Sequence, residues 1–280
     1  MKRSAYGELL KKYEALKSYL QELGSVAVAF SGGVDSTFLL NAAHEALGEK
    51  AAGITASSII IPQQELKDAE DFCREWGIRH VIINIDPLKI EGFAENPADR
   101  CYICKRSIFR EMIKAASENN LGQVVEGSNL DDDSDYRPGM KAIKELGVKS
   151  PLKELKFTKT EIRAVSEWLH LPTWNKPSLA CLASRIPYGD VITKEKLEMV
   201  EKAEEILHDK GFSQLRVRMH GNLARIELMP EEFHVFMKDK MRLAITEEFK
   251  KLGFTYVTLD TYGYRTGSMN EYLHRVGGQI

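Results

Sequence analysis

A short segment near the N-terminus combines the residue types and the chain geometry needed to bind a phosphate group. An apolar run at 26–30 predicts a buried strand, the glycine pair at 32–33 predicts a tight turn, and residues 35–40 predict the start of a helix. Free backbone N–H groups and the positive end of the helix dipole meet at such a junction. Three hydroxyl groups within the segment add donors, so we expect an anion site here.

The segment from Ser31 to Thr37 has the sequence Ser-Gly-Gly-Val-Asp-Ser-Thr. It lacks Gly-Lys-Ser/Thr, which excludes a Walker-type loop, and it resembles the PP-loop of the ATP pyrophosphatases. These enzymes split ATP into AMP and pyrophosphate in order to adenylate a substrate. Asp35 is expected to cap the helix or to orient phosphate-bound Mg²⁺, two compatible roles. The resemblance implies that ATP binds to Ala29, Phe30, Ser31, Gly32, Gly33, Val34, Asp35, Ser36 and Thr37.

An acidic loop at 126–139 follows another predicted strand, at 123–126. Acidic loops often have no role beyond facing water at the surface. The carboxyl ends of parallel strands lie together, however, which would bring this loop to the ATP site. Its carboxylates are then expected to hold Mg²⁺, and Arg137 to stabilise the charge of pyrophosphate. Gly127 leaves room for a flat adenine or adenylate. We therefore add Gly127 and Arg137 to the predicted ATP site.

Three of the four cysteines lie in contexts that suggest chemistry. Cys101 and Cys104 form a Cys-x-x-Cys in the predicted turn before a helix, with basic neighbours. This pair is a redox dithiol, half of a metal site, or two unrelated thiols. Cys181 follows a proline-bounded loop, and its neighbour Arg185 is expected to favour the thiolate. Cys73 lies in the middle of a predicted helix and is expected to be a core residue.

Strands and helices alternate along residues 5–186, which predicts an α/β fold with a doubly wound, mostly parallel sheet. The pattern changes beyond this point. A helix at 193–210, strands at 214–220 and 223–228, a helix at 231–251 and a strand at 256–259 predict a smaller α+β domain with a mainly antiparallel sheet. The period-two pattern of its first two strands predicts one wet face. We place the domains at 1–186 and 187–280.

The composition is that of an ordinary globular protein. The chain has 280 residues, and 39 Lys and Arg against 41 Asp and Glu give a net charge of −2, so the charge offers no argument for nucleic-acid or membrane binding. The N-terminus is charged rather than apolar, which argues against a signal peptide. We expect a cytoplasmic enzyme whose cysteines are metal ligands, catalytic groups or core residues rather than disulfides.

Several segments together are similar to the LarE family of ATP-dependent sulfurtransferases, over essentially the whole chain. The resemblance implies adenylation of the carboxylates of pyridinium-3,5-biscarboxylic acid mononucleotide and their conversion to thiocarboxylates, in the biosynthesis of the nickel-pincer nucleotide, the cofactor of lactate racemase. It also implies a sulfide donor and a homo-oligomer, either a trimer or a hexamer. The segments that carry it are Ser31–Thr37, Asp135–Gly139, Trp174–Pro177, Ala183–Gly189, Arg216–Arg218, Ala224–Leu228 and Tyr256–Asp260.

Within this family the cysteine pattern resembles the branch that uses a four-iron four-sulfur cluster. Members with a sacrificial cysteine, which becomes dehydroalanine, carry it at the position of Ala180 and lack the Cys-x-x-Cys. The resemblance implies a cluster held by Cys101, Cys104 and Cys181, with one iron open to bind the sulfide to be transferred. Sacrificial use of Cys181 and a structural or redox role are the alternatives.

Five residues of the smaller domain match family substrate positions. Arg216 and Arg218 share one strand face, where they either solvate a surface or clamp a phosphate. With Arg265 they match positions that bind the phosphate of the mononucleotide. Glu204 and Glu227 match acidic positions of the same site, and each could instead pair with a neighbouring arginine.

Other functions remain open from the sequence. Another PP-loop enzyme, such as a tRNA thiolase or an amidotransferase synthetase domain, is one alternative. A tRNA thiolase usually has a basic surface, and an amidotransferase needs a glutamine-hydrolysing partner. A non-catalytic nucleotide or iron–sulfur carrier is the alternative from another class, and it would release no pyrophosphate in response to substrate.

Overall fold

The computed structural model of the chain describes residues 3–134, 139–177, 180–265 and 267–270. By contacts the chain divides into two compact units. The first comprises residues 1–86 and 101–179, and the second comprises 87–100 and 180–280. This division differs from the sequence-based boundary between 186 and 187, since the second unit begins earlier and includes residues 87–100 from between two elements of the first.

The first unit is built on a parallel sheet in the order β3-β2-β1-β4. The predicted doubly wound sheet is confirmed: Val26, Val28 and Phe30 pack against helices on one face, and Ala27, with residues of β2, packs against α4 and α5 on the other. Its elements are α1 (Arg3–Glu22), β1 (Val26–Ala29), α2 (Val34–Leu47), β2 (Ala51–Ser57), α3 (Gln63–Glu75), β3 (Arg79–Asn84), α4 (Arg100–Glu118), β4 (Gln123–Val125), α5 (Gly139–Glu145), α6 (Pro151–Glu154) and α7 (Lys159–Trp168).

The second unit holds a three-stranded sheet in the order β5-β6-β7. Strands β5 and β6 form an antiparallel hairpin, but β7 pairs with β6 in parallel. The predicted mainly antiparallel sheet is therefore only half correct, because a helical crossover returns the chain in the same direction. The elements are α8 (Lys194–Asp209), β5 (Arg216–His220), β6 (Leu223–Glu227), α9 (Phe233–Phe236), α10 (Asp239–Leu252) and β7 (Tyr256–Leu259).

One predicted helix of the second unit is interrupted. The segment predicted as a single helix at 231–251 contains α9 and α10, which are separated at Lys238, where the backbone is extended. One face of the sheet, with Val217, Ala224 and Ile226, is buried together with apolar residues of α8 and α10. The opposite face carries the charged residues described below. None of the helices in the described residues is long and apolar enough to cross a membrane.

Candidate active site and ionic cluster

The loop between β1 and α2 has the geometry of a phosphate site. Gly32 has a φ of +69°, a left-handed conformation that glycine adopts without strain, and Gly33 is the residue before the first turn of α2. The hydroxyls of Ser31 and Ser36 lie 3.1 Å apart. Thr37 is fully buried, and its Oγ1 has no hydrogen-bond partner among the described residues. This helix start therefore combines the unpaired backbone N–H groups of a first turn with a buried hydroxyl that has no partner among the described residues, features that suit an anion site.

Asp35, in the first turn of α2, is held by two residues from elsewhere in the first unit. Its carboxylate accepts from Lys159 Nζ at 2.5 Å and from Asn129 Nδ2 at 3.3 Å. Burial raises the pKa of Asp35, and the nearby Lys159 opposes this shift. The arrangement brings one carboxylate and one ammonium to the phosphate loop. Lys159 is the first residue of α7, and no motif in the sequence marked it as a site residue.

The loop after β4 lies directly against the start of α2. Glu126 is buried and accepts from both the N–H and the hydroxyl of Ser128, at 3.0 and 2.7 Å. A Cβ added at Gly127 would lie 3.1 Å from Ser36 N, so this glycine permits the close approach of two main chains. This close packing is one reason why the position requires glycine, and the predicted space for adenine stays a prediction. Arg137 lies outside the described residues.

The cysteines divide between the two units. Cys101 and Cys104 lie in the first turns of α4, which begins at Arg100, so the predicted position in a turn before the helix is corrected by a few residues. Cys104 is buried and Cys101 is half-buried. Cys181, also half-buried, precedes a short 3₁₀ turn at Leu182–Arg185. None of the three forms a disulfide, and the described residues contain no group of three or more His, Cys, Asp or Glu side chains placed to hold a metal.

The charged face of the second unit's sheet forms a buried ionic cluster. Arg218 forms two parallel bonds to Glu227, at 3.1 and 3.0 Å, and Arg225 donates to the same carboxylate at 3.1 Å. Ser268 Oγ bridges Arg218 and Glu227, at 2.9 Å from each. Glu227 is completely buried, and Arg218 is 5% exposed. The prediction of a wet face is therefore wrong for β5: Arg216 and Arg218 are both buried, although they do share one face as predicted.

A second ion pair extends this cluster. Arg185, 1% exposed, pairs with both oxygens of Glu204, at 2.9 and 2.8 Å. Burial opposes the charged form, but Glu204 raises the pKa of Arg185. Arg216 is also buried and stacks over the ring of Tyr264, with its guanidinium carbon 5.1 Å from the ring centroid. Burial and the neighbouring Arg185 lower the pKa of Arg216.

Arginines outnumber carboxylates among the described residues of this cluster. Asp260 lies 3.7 Å from Arg225 and 3.6 Å from Arg265. Five guanidiniums therefore lie among three carboxylates in the described residues of this unit: Arg185, Arg216, Arg218, Arg225 and Arg265 against Glu204, Glu227 and Asp260. Several guanidiniums gathered in one place are a chemistry that an anionic ligand such as a phosphate can contact.

Comparison with known proteins identifies the family of this chain. A family model described as NAD synthase matches residues 8–115, which include the phosphate loop. An uncharacterized protein from Synechocystis is 42% identical over 265 residues, which cover 95% of this chain and 99% of the relative. The pyridinium-3,5-bisthiocarboxylic acid mononucleotide synthase of Lactiplantibacillus plantarum is 36% identical over 266 residues, which cover 95% of this chain and 96% of the synthase. This chain belongs to the LarE family.

As a LarE-family protein it is an ATP-dependent sulfurtransferase with a PP-loop nucleotide domain. The sequence reasoning missed Lys159, which contacts Asp35, and also Arg225, Asp260 and Ser268 of the ionic cluster. A period-two inspection of β6 could have found Arg225, because it lies opposite Arg218 in the strand register. Lys159 had no comparable local signal.

Proposed function

We propose that this LarE-family enzyme adenylates the carboxylates of pyridinium-3,5-biscarboxylic acid mononucleotide and converts them to thiocarboxylates, a step in nickel-pincer nucleotide biosynthesis. The observation that carries this proposal is the 36% identity over 95% of the chain to the synthase named for the bisthiocarboxylic acid product. The phosphate loop of the first unit and the cationic cluster of the second supply the two anion sites that ATP and a mononucleotide would need.

The first chemical step is adenylation. A carboxylate oxygen of the substrate attacks the α-phosphorus of ATP, the bond to the bridging oxygen of the β-phosphate breaks, and pyrophosphate leaves with the electron pair. Ser31–Thr37 would hold the phosphates, with Thr37 Oγ1 as an available buried donor. The Asp35 carboxylate suits Mg²⁺, and Lys159 would compensate negative charge beside it. In the second step a sulfide attacks the acyl carbon and AMP departs.

The substrate phosphate is assigned to Arg216, Arg218 and Arg265. Support comes from the burial of the first two side chains and from the further guanidiniums of the same cluster. Glu227 would orient the guanidinium of Arg218 by pairing with it, and Glu204 would orient the neighbouring Arg185 in the same way. A buried, pre-oriented guanidinium binds a phosphate in water-excluded surroundings, where charge-assisted bonds are strong.

Cys101, Cys104 and Cys181 would hold the four-iron four-sulfur cluster. The donor set fits, because soft thiolates suit iron, and the first two lie one helical turn apart at a helix N-terminus with basic neighbours. When bound, such a cluster would present an open iron to the sulfide that is transferred. The protein is expected to act as a homo-oligomer, a trimer or a hexamer, in the cytoplasm.

Anaerobic reconstitution with iron and sulfide tests the sulfur source. We expect about four irons per chain in the wild type, and loss of binding in Cys101→Ala, Cys104→Ala and Cys181→Ala. Cys73→Ala is the matched control, since burial in α3 raises the pKa of this thiol to about 12. Retention of all iron in the Cys181 variant would contradict the ligand set.

Mass spectrometry after turnover distinguishes the sacrificial mechanism. Dehydroalanine at position 181, with a loss of one hydrogen sulfide in mass, would replace the cluster proposal by sacrificial transfer. Pyrophosphate release that responds to a tRNA and not to the pyridinium mononucleotide would indicate a tRNA thiolase. ATP binding with no substrate-dependent pyrophosphate release would indicate a carrier protein.

A further inference from the structure

Residues 87–100 follow β3 and end at the first residue of α4, yet they belong to the second unit. The main chain of this segment bonds to the segment that follows Cys181: Gly189 N donates to Asn96 O at 2.9 Å, and Ile192 N donates to Ala94 O at 2.8 Å. Asn96 is completely buried with a φ of +56°, a left-handed conformation that few residues other than glycine and asparagine adopt. A buried non-glycine residue keeps such a backbone conformation only where the contacts around it hold it in place.

The Asn96 side chain is the centre of a hydrogen-bond network. Its Nδ2 lies 3.2, 2.6 and 3.1 Å from three carbonyl oxygens, and its Oδ1 accepts from the guanidinium of Arg100. Arg100, 3% exposed, also donates to Ala183 O at 3.1 Å and lies over the ring of Tyr188. Two buried side chains therefore satisfy main-chain carbonyls within residues 183–190. The three carbonyls that Asn96 contacts are those of Ile186, Pro187 and Asp190.

Arg185 holds the main chain at Cys181, where the 3₁₀ turn Leu182–Arg185 begins. Arg185 Nη1 donates to the carbonyl oxygens of Ala180 and Cys181, at 2.5 and 3.0 Å, and Ser184 N donates to Cys181 O at 2.9 Å. Arg185 is itself fixed by its two bonds to Glu204. Arg185 therefore fixes the start of the segment 181–190 by hydrogen bonds to its carbonyls, and the Asn96–Arg100 pair fixes the rest of it in the same way.

We propose that Asn96 and Arg100 are positioning residues for Cys181. Neither side chain bonds to this cysteine; they fix the main chain that carries it, so that its thiol is presented in one orientation for sulfur transfer. This inference rests on the proposed role of Cys181. It assigns to the segment 87–100 a function in the sulfur step rather than in the adenylation step.

Asn96→Gly tests the inference, because glycine keeps the left-handed conformation and removes every side-chain bond. Asn120→Gly is the matched control: it is also left-handed, with a φ of +58°, but it is exposed and lies at the end of α4. We measure the alkylation of Cys181 by iodoacetamide on the full chain before iron is added, with the modified peptide located by mass spectrometry. Pyrophosphate release and thiocarboxylate formation are measured separately at saturating ATP and substrate.

In Asn96→Gly the Cys181 alkylation rate should change about threefold or more, and thiocarboxylate formed per adenylation should fall about tenfold because the reacting group is misplaced. Pyrophosphate release should stay near the wild-type value, and Asn120→Gly should match the wild type throughout. An unchanged Cys181 alkylation rate, or an equal fall of both half-reactions, would overturn the inference.

Arg100→Lys provides a second variant if Asn96→Gly does not fold. Lysine keeps the charge but lacks the planar guanidinium with its several donors. The changes in Cys181 alkylation rate and in thiocarboxylate formation should therefore appear, but be smaller. A wild-type alkylation rate in Arg100→Lys would likewise overturn the inference. Cys181→Ser separates this question from the proposed function: full sulfur transfer in that variant refutes the role of Cys181, while the alkylation rates still report whether Asn96 positions it.

Discussion

The two candidate anion sites of this molecule are built from different parts of the chain. The phosphate loop in the first unit uses main-chain N–H groups at the start of α2, a left-handed glycine and small hydroxyl side chains. The cluster in the second unit uses long charged side chains that are almost completely buried. The first site is made by local backbone geometry, whereas the second is made by side chains that meet through the strand register.

The difference has an energetic consequence. Backbone groups at a helix start are unsatisfied in any helix, so a phosphate loop adds little desolvation cost of its own. A buried guanidinium is expensive unless a carboxylate pairs with it in good geometry, and removing one partner leaves an uncompensated charge. Substitutions in the cluster should therefore affect folding and binding together, while substitutions in the phosphate loop should affect chemistry more than folding.

The largest expected effect is that of Glu227→Ala. This change leaves Arg218 and Arg225 without the carboxylate that both now contact, and it should lower the free energy of unfolding by about 3–5 kcal/mol. Urea unfolding followed by circular dichroism measures this value. The control Glu198→Ala removes an exposed pair with Lys194 on α8 and should change stability by less than about 1 kcal/mol. Equal effects of the two variants would contradict the statement that the buried pairs of this cluster contribute strongly to folding.

Asp35→Asn should separate chemistry from folding in the phosphate loop. Loss of the carboxylate should reduce substrate-dependent pyrophosphate release about a hundredfold, with a small change in the free energy of unfolding. Asp239→Asn, at an exposed first-turn position of α10, is the matched control and should keep full activity. The products of the wild type should be AMP and pyrophosphate. Release of ADP and phosphate would contradict the adenylation chemistry.

Arg216→Ala should weaken substrate binding while leaving ATP binding unchanged. The loss of a charge-assisted bond to the substrate phosphate should cost about 1.5–3 kcal/mol, measured as a rise in the apparent KM for the mononucleotide. Arg218→Ala should show the same direction, but it also disrupts the pair with Glu227, so part of its effect is on folding. Arg242→Ala, which removes a pair with the exposed Asp239 on α10, is the control. If Arg216→Ala weakened ATP binding as much as it weakened substrate binding, Arg216 would not be specific to the substrate phosphate.

The smallest expected effect is a change in acid stability in Glu204→Gln. Burial opposes ionisation of Glu204, but Arg185 and the Val217 N–H more than compensate, so its pKa lies below the ordinary value of 4.5. Between that lowered pKa and 4.5 the unfolded chain binds more protons than the folded one, and stability rises with pH. The gap in unfolding free energy between wild type and variant should therefore shrink as the pH falls below 4.5. A gap that stays constant in acid would argue against this ion pair.

The elements of both units were predictable from the sequence where one local rule governed them. The alternation of strands and helices gave the parallel sheet of the first unit, and β7 lies at the predicted residues, Tyr256–Leu259. The wet face assigned to β5 failed because period-two alternation separates charged from apolar faces without indicating whether the charged face meets water or other charges. The role of Gly127 beside adenine stays a prediction, and its close contact with Ser36 could not be inferred from its own neighbours in sequence.

The sequence by itself determined the phosphate loop, because a strand, a glycine turn and a helix start act within a dozen residues. It also determined the family, through segments spread along the chain. Only the tertiary structure brought Lys159 to Asp35 across 124 residues, placed 87–100 in the second unit, and buried Arg185 and Arg218 against their carboxylates. The physical reason is that glycine conformation and helix starts are local properties, whereas desolvation and ion pairing depend on which distant surfaces exclude water together.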